Sequence, residues 1–491
     1  MLVLGLDLGT QSLKAVVCDE SLAVRGHHAV GYVSEQAPLR GATDRPAPDR
    51  AEQDPASWEQ ALGAAIHGAL AAAGAKADDV SALAIAGQLD GCVAVDPNGR
   101  PLHAALIWQD RRAIAETARA DARRVFEIAG QVADASHMAP KICWLRDHGV
   151  TAARFHQPVS YLVERLTGVA AIDPANASSS MLLDLATSAW SPELLAAFAI
   201  IEAELPAIRP TCSIAGALTA EGARLTGLRA GTPVAVGTGD DFANPLGAGV
   251  VAPGSIVCAI GTAEVVGAVS ATAVLDRIGV EPMVETHVYP AGGYFIENPG
   301  WMSGGAVRWA VRMLGLDSDA AFDALAASAP AGAGGVTFVP ALAGAMTPVW
   351  RPNARGALHG LAAGTDRSHI ARAVLEGLAF ASRDVAERLA AMGLPATDVL
   401  LLGGGAKSRV WSQLRADTLG LCHRVAPNRD TCPIGAAMVA AVAAGFVPDL
   451  AGAAALAPPA VNVFAPGPAA TREALDAAYR RYQNLVARPD R

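Results

Sequence analysis

Leu2-Val3-Leu4-Gly5-Leu6-Asp7-Leu8-Gly9-Thr10-Gln11-Ser12-Leu13-Lys14-Ala15-Val16-Val17-Cys18 opens the chain and decides its fold. An apolar run ends on a carboxylate, a polar Gly-Thr turn follows, and a second apolar run leads away. That pattern predicts two strands joined by a tight turn. A turn of this kind suits nucleotide phosphates. Glycine at position 9 lets the backbone approach an anion. Backbone N–H groups around Gly9 and Gln11, the Thr10 and Ser12 hydroxyls and Lys14 can then surround phosphate oxygens. Asp7 cannot face phosphate alone, so it implies Mg²⁺ between the two. Taken singly, the same residues also describe an ordinary hairpin with a solvated turn.

A second copy shifts the balance. Ser255-Ile256-Val257-Cys258-Ala259-Ile260-Gly261-Thr262-Ala263-Glu264-Val265-Val266 again reads strand, Gly-Thr turn, strand. It lies about half a chain downstream, so each half opens on one such hairpin, as in a duplicated architecture. Two facing hairpins could hold a triphosphate.

The 491 residues exceed one core and suit two domains. We expect an N-terminal domain over 1–236 and a C-terminal domain over 237–491. The net charge of −9, without basic clusters, argues against nucleic acid or an anionic membrane as partner. The seven cysteines are scattered, with no C-x-x-C pair, as in a reducing compartment. Residues 436–447, the most apolar stretch, are too short to span a bilayer. A soluble cytoplasmic protein is the expectation.

Strands alternate with helices along the chain, which gives an α/β class. Residues 40–55 read as a polar, Pro-rich loop, and Asp54-Pro55 as the start of a helix with Trp58, Ala61, Leu62, Ala65, Ile66 and Leu70 on its apolar face. Residues 80–86 read as a strand, with 92–96 as its partner strand. Between them lies Gly87-Gln88-Leu89-Asp90-Gly91. Trp108-Gln109-Asp110 follows another short strand. Both polar loops could bind sugar hydroxyls or be plain connections. Residues 233–236 form a strand running into Gly237-Thr238-Gly239-Asp240-Asp241, where a helix begins. Asp240 is either the carboxylate that accepts a proton from an alcohol during phosphoryl transfer or a helix cap. If Asp240 is the base, Asp241 is the candidate cap beside it. Gly403-Gly404-Gly405-Ala406 follows a strand at 399–402 and either admits a flat adenine ring or forms an unliganded glycine turn.

In their order, these motifs resemble the FGGY carbohydrate kinases, and within them the xylulokinase branch. The resemblance covers nearly the whole chain. It rests on Gly5 to Thr10, Glu52-Gln53-Asp54-Pro55 with Trp58, Ile85-Ala86-Gly87-Gln88 and Ile107-Trp108-Gln109-Asp110-Arg111-Arg112. It continues through Lys141-Ile142-Cys143-Trp144-Leu145, Pro352-Asn353-Ala354-Arg355-Gly356 and the signature from Gly356 to Glu376. The family implies two actin-like, ribonuclease-H-like domains enclosing a cleft, with the sugar mostly against the first and MgATP mainly on the second. It implies Asp240 as catalytic base, Asp7 near Mg²⁺, and Thr10, Gly261 and Thr262 at the phosphates. Gly404, Gly405 and Ala406 would line the adenine site. Gln88, Leu89, Asp90, Trp108 and Asp241 would face the sugar, and a homodimer is expected by analogy.

Two departures touch the acceptor. Leu89 and Asp90 stand where xylulokinases usually carry Met-His, and Asp241 stands where they carry Asn. With Asp7 and Asp240 these make an acidic pocket, which favours a neutral, hydroxyl-rich ligand over sugar acids. The expected reaction is ATP-dependent phosphorylation of a neutral pentulose, with D-xylulose to D-xylulose 5-phosphate foremost. Ribulose, a tetritol, a pentitol or glycerol are the alternatives, and a non-catalytic actin-like ATP-binding protein is the reading from another class.

Overall fold

In the computed structural model, residues 1–32, 49–427 and 430–487 are described. The chain divides into two compact units. Unit 1 comprises Met1–Val251, Thr286–Tyr294 and Asp430–Ala457; unit 2 comprises Ala252–Glu285, Phe295–Arg429 and Pro458–Arg491. The divide expected at 236 therefore falls elsewhere, and two later segments return to the first unit. Close helix packing accounts for this. A Cβ on Gly247 would lie 2.0 Å from the Thr431 carbonyl oxygen, and one on Gly435 2.1 Å from that of Ala243. The backbones of the helices Asp240–Gly247 and Thr431–Ala443 thus touch, and only glycine permits it.

Unit 1 is built on a sheet in which Leu2–Leu8 lies between Ser12–Asp19, antiparallel, and Val80–Gly87, parallel. Val24–Gly31 extends one edge; Pro233–Ala235 and Ile214–Ala217 extend the other. Alternation sorts the first strand's side chains between two faces. Leu4, Leu6 and Leu8 join Trp58, Leu62 and Ile66 of the helix Pro55–Ala73 in one core. Val3 joins Ala437, Val439 and Ala440 of the helix Thr431–Ala443 in another. Asp7 shares the parity of Val3 and so belongs to the second face. The strand expected at 92–96 is Val93–Val95, and it pairs with Arg154–His156 rather than with Val80–Gly87. Val80–Gly87 has its neighbours in Leu2–Leu8 and Pro233–Ala235 instead. Of the loop expected at 40–55, residues 40–48 lie outside the described residues; Glu52–Gln53 forms a short strand against Ala105–Leu106.

Unit 2 repeats the theme. Ser255–Ile260 lies between Ala263–Ser270, antiparallel, and Asp398–Leu402, parallel. Cys422–Val425 and Asn462–Phe464 continue beyond Asp398–Leu402. Its core joins Ile256, Cys258 and Ile260 to Val374, Leu378 and Val385 of the helix Arg367–Ala391 and to Trp411 and Leu414 of the helix Arg409–Leu419. Among the described residues no helix is long and apolar enough to cross a membrane.

Candidate active site

In unit 1 the strand order sets the first turn beside the other candidate loops. Asp7 is the last residue but one of the central strand, and Lys14 is its cross-strand partner. The Lys14 ammonium lies 3.4 Å from Asp7 and 2.8 Å from Asp430, which precedes the helix Thr431–Ala443. Burial works against the Lys14 charge, but Asp7 and then Asp430 outweigh it and hold the lysine protonated. Its charge is therefore already balanced by carboxylates within the unit. Asp7 is 6% exposed. Burial pushes its carboxyl upward, opposed by Lys14 and by the Cys432 thiol.

Asp240 and Asp241 occupy the first turn of the helix Asp240–Gly247, whose N-cap is Gly239. Neither aspartate is the cap. Both are recessed but still reachable from solvent. Crowding by protein, then Asp241 and Asp7, raise the Asp240 carboxyl well above the usual carboxylate range. Burial, then Asp90, push Asp241 up to about 7. Four carboxylates thus share one electrostatic neighbourhood. Gly239 is required here, because a Cβ would lie 2.0 Å from Leu89 Cδ2 and 2.9 Å from Asn176 Oδ1. Leu89, expected at the sugar, is 6% exposed and packs against this strand end.

Asp90 has φ of 60°, the left-handed region that a non-glycine residue enters only when its surroundings hold it there. Lys141 grips it there: its ammonium donates to the Asp90 carbonyl oxygen at 2.9 Å and is itself anchored on that of Ile107 at 2.8 Å and on that of Ser136. One buried ammonium thereby ties the loop of Asp90, the residue before Trp108 and the approach to the helix Met138–Asp147. Burial brings Lys141 down to about 8 against the opposing pull of Asp90 and Asp110. His137 Nδ1 lies 3.3 Å from the Asp90 carboxylate and 2.9 Å from the Ser179 carbonyl oxygen. His287 arrives from the segment Thr286–Tyr294 and is buried, which pushes its imidazole down to about 3 and keeps it neutral.

Trp108 and Gln88 join the polar loops to the first turn. The Trp108 indole N–H donates to Thr10 Oγ1 at 3.0 Å. Gln88 donates to Gln53 Oε1 at 2.9 Å, Trp58 donates to the same oxygen at 3.0 Å, and Gln53 donates to the Thr10 carbonyl oxygen. Gln88 is 2% exposed, and its Oε1 has no hydrogen-bond partner among the described residues. Such an acceptor invites a ligand hydroxyl. Gly9 N–H donates to Ser12 O across the turn at 3.1 Å, and the Tyr32 hydroxyl donates to Gly9 O. Gln11 is exposed and Ser12 half-buried. Reading the sequence alone missed His137, His287, Tyr32, Cys432 and Asp430. Asp430 and Cys432 closely precede the apolar run at 436–447, the one available signal; His287 had none.

In unit 2, Gly261 and Thr262 are exposed at the second turn. Their carbonyl oxygens receive N–H groups at the start of the helix Gly304–Met313: Ser303 N to Thr262 O at 3.0 Å and Gly304 N to Gly261 O at 3.2 Å. Arg308 of that helix donates to Thr262 Oγ1 at 2.8 Å. The glycines at 403–405 separate by role. Gly403 has φ of 80° and Gly405 is filled from below, since a Cβ there would lie 2.3 Å from Ile260 Cγ2. Gly404 has open space beside it and is exposed; Ala406 is buried. Close packing on Ile260 thus explains two of the three glycines, and Gly404 alone offers bare backbone to a flat ligand.

Comparison with known proteins agrees with both halves. Residues 2–247 match the model for the N-terminal domain of the FGGY family of carbohydrate kinases, and residues 256–444 match that for its C-terminal domain. The chain is 35% identical over 465 residues to a glycerol kinase of Gloeobacter violaceus, covering 91% of this chain and 89% of that protein. It is 33% identical over 452 residues to a xylulose kinase of Escherichia coli, covering 90% of each. Among solved structures, a xyloylose kinase from Brucella ovis superposes with a TM-score of 0.86 at 29% identity, covering 99% of this chain and 98% of that one. A xylulose kinase from Rhodospirillum rubrum gives 0.85 at 28% identity with the same coverage.

Proposed function

Because the chain belongs to the FGGY family of carbohydrate kinases, with its two actin-like domains and its ATP-dependent chemistry, we propose that it phosphorylates a hydroxyl of a neutral pentulose, D-xylulose foremost. The observation that carries the acceptor class is the group around Asp90. Asp90 acts on Asp241 and Asp241 on Asp240, His137 lies against Asp90, and Gln88, two positions before Asp90, has an Oε1 with no hydrogen-bond partner among the described residues. Ionised carboxylates accept hydrogen bonds from hydroxyls and repel sugar acids. This set offers more polar atoms than a three-carbon triol can engage, which favours the pentulose over glycerol.

In this reading Asp240 accepts the proton of the attacking hydroxyl as the phosphoryl group passes from ATP. Its upward shift helps, since a carboxylate in this environment binds a proton more readily than one in water. Gln88, Asp90, Trp108 and Asp241 orient the acceptor. In unit 1 the turn of Gly9, Thr10, Gln11 and Ser12 offers its hydroxyls and its unused N–H groups to phosphate oxygens; in unit 2, taken by itself, the turn of Gly261 and Thr262 is the phosphate turn. Lys14 keeps Asp7 ionised rather than meeting phosphate itself. Gly404, with Gly405 and Ala406 beneath and beside it, receives the adenine.

The donor set fits Mg²⁺. Asp7 is a buried carboxylate whose charge is felt at Asp240, and Mg²⁺ binds through one or two carboxylates together with substrate phosphates and water. Bound there, the ion would neutralise phosphate charge during transfer.

ADP release, measured with MgATP across D-xylulose, D-ribulose, glycerol, erythritol, the pentitols and gluconate, tests the proposal. The expected result is highest kcat/KM for D-xylulose and negligible turnover of gluconate. Preferred turnover of glycerol, the substrate named for the Gloeobacter violaceus relative, would replace the pentulose. ATP binding without stimulation by any acceptor would point to a non-catalytic protein.

A further inference from the structure

A charged pair that this mechanism does not use lies beneath the second turn. Glu264, two residues beyond Thr262, is 0% exposed, and Arg415 is 1% exposed. The Arg415 guanidinium donates to both Glu264 oxygens, at 2.6 Å each. Ser303 Oγ donates to Glu264 Oε2 at 2.7 Å and Ser382 Oγ to Oε1 at 2.8 Å. Burying two charges is expensive, and such a pair often stabilises a protein no better than apolar residues of the same volume. Its presence calls for another reason.

The connections supply one. Ser303 is the N-cap of the helix Gly304–Met313, and its N–H holds the Thr262 carbonyl oxygen. Glu264 is therefore linked to the second turn both along its own strand and through that helix start. On the other side, Arg415 stacks on the Trp411 ring, 4.4 Å from its centre. Trp411 lies against Gly405, where a Cβ would come within 3.0 Å of Cζ3. The pair thus spans from the turn at Gly261 and Thr262 to the glycine turn at 403–406. Resting on the reading of unit 2 as the nucleotide-binding half, we propose that Glu264 and Arg415 are positioning residues for the nucleotide, fixing the spacing between its phosphate turn and its adenine turn. An apolar pair would fill the space. It could not combine a bidentate link to Arg415 with two serine hydroxyls, and so would leave the two turns free to shift.

The test is a double variant, Glu264→Leu with Arg415→Leu, which removes both charges and leaves none unpaired. We expect its melting temperature to stay close to that of the wild type while KM for ATP, and the calorimetric Kd for ADP without acceptor, rise roughly tenfold to hundredfold, the loss a displaced binding group brings. KM for the acceptor should change less than about twofold by the same reasoning. Arg415→Lys, which keeps the charge but not the fork, should fall between. A folded double variant with wild-type KM for ATP and wild-type Kd for ADP would overturn the proposal. Should the double variant not fold, Glu264→Gln decides by the same two readouts. A wild-type protein that binds neither ATP nor ADP would instead refute the kinase reading itself.

Discussion

The two Gly-Thr hairpins are the same device with their charges on opposite faces. In the first, Leu8 pairs with Leu13 beside the turn, both fully buried in the apolar core, and one step inward Asp7 pairs with Lys14. In the second, Ile260 pairs with Glu264 beside the turn, and one step inward Ala259 pairs with Val265. Charge at the inward pair puts the carboxylate where Asp240 and Asp241 lie, in reach of chemistry. Charge at the pair beside the turn puts it inside the core, where Arg415 and two serines consume every contact it can make. On the function proposed above, the same backbone serves as a reactive edge in one unit and as a braced platform in the other. A shift of one residue in a strand is enough, because alternate side chains face opposite sides.

The sharpest way to break this contrast is Asp240→Asn. If the first unit holds the reactive edge, kcat should fall about 10²–10⁴-fold, the usual worth of a general base. ADP affinity measured without acceptor should hardly change, since the second unit is untouched. Equal losses in both would mean that Asp240 acts through the nucleotide rather than the acceptor.

Next in size is a stability difference. Gly5 sits four residues before the first turn glycine, where Val257 sits before the second. A Cβ on Gly5 would lie 2.0 Å from the Pro433 carbonyl oxygen and 2.5 Å from Ala437 N, both backbone atoms of a packed helix. Gly5→Ala should cost about 1–3 kcal/mol, lowering the melting temperature by roughly 2–4 °C per kcal/mol. Gly261→Ala, at the second turn itself, is the contrast. Its nearest neighbour would be the Ala263 carbonyl oxygen at 3.5 Å, so stability should move by less than about 0.5 kcal/mol. A calorimetric scan of both variants checks the pair.

A third comparison stays within unit 1. Asp90→Asn keeps the shape but removes the charge facing His137. A hydrogen bond to a charged group is worth about 1.5–3 kcal/mol, so kcat/KM for the acceptor should drop roughly tenfold or more while KM for ATP holds. Unchanged acceptor kinetics would show that Asp90 serves the loop and not the ligand.

The sequence carried the two hairpins because each is local: apolar runs, a glycine and a hydroxyl residue within a dozen positions. It carried the helix Pro55–Ala73 for the same reason, its face from Trp58 to Leu70 being regular. What it did not carry was the long-range closure. Nothing near Asp430 or Cys432 announces that they end beside Asp7, because that depends on Gly5, Gly247 and Gly435 letting backbones meet. The boundary expected at 236 missed for this reason: the helix Asp240–Gly247 packs on a helix that follows nearly two hundred positions later. The pairing of Lys14 with Asp430 is illegible in the sequence for the same reason. Of the glycines at 403–405, two answer to Ile260, a residue in another strand.

The smallest effect concerns protons. Asp241 titrates at about 7 in the folded protein against 3.8 for the free side chain. The folded state therefore holds this proton more tightly than the unfolded chain does. Its contribution to stability is complete below pH 4 and is lost as pH rises through 7. Above that, the ionised carboxylate is crowded against Asp90 and weakens unit 1. Asp241→Asn removes the ionisable group while keeping its size. The variant should melt roughly 2–4 °C above the wild type at pH 8, corresponding to about 1 kcal/mol in a domain of this size. The gap should narrow through pH 6 and close by pH 4. Among the described residues no such carboxylate cluster lies at the second turn, where Ala259 and Val265 occupy the corresponding pair. A gap that stayed constant with pH would mean that Asp241 is not strained by its neighbours, and the acidic character assigned to the first hairpin's face would have to rest on Asp7 and Asp240 alone.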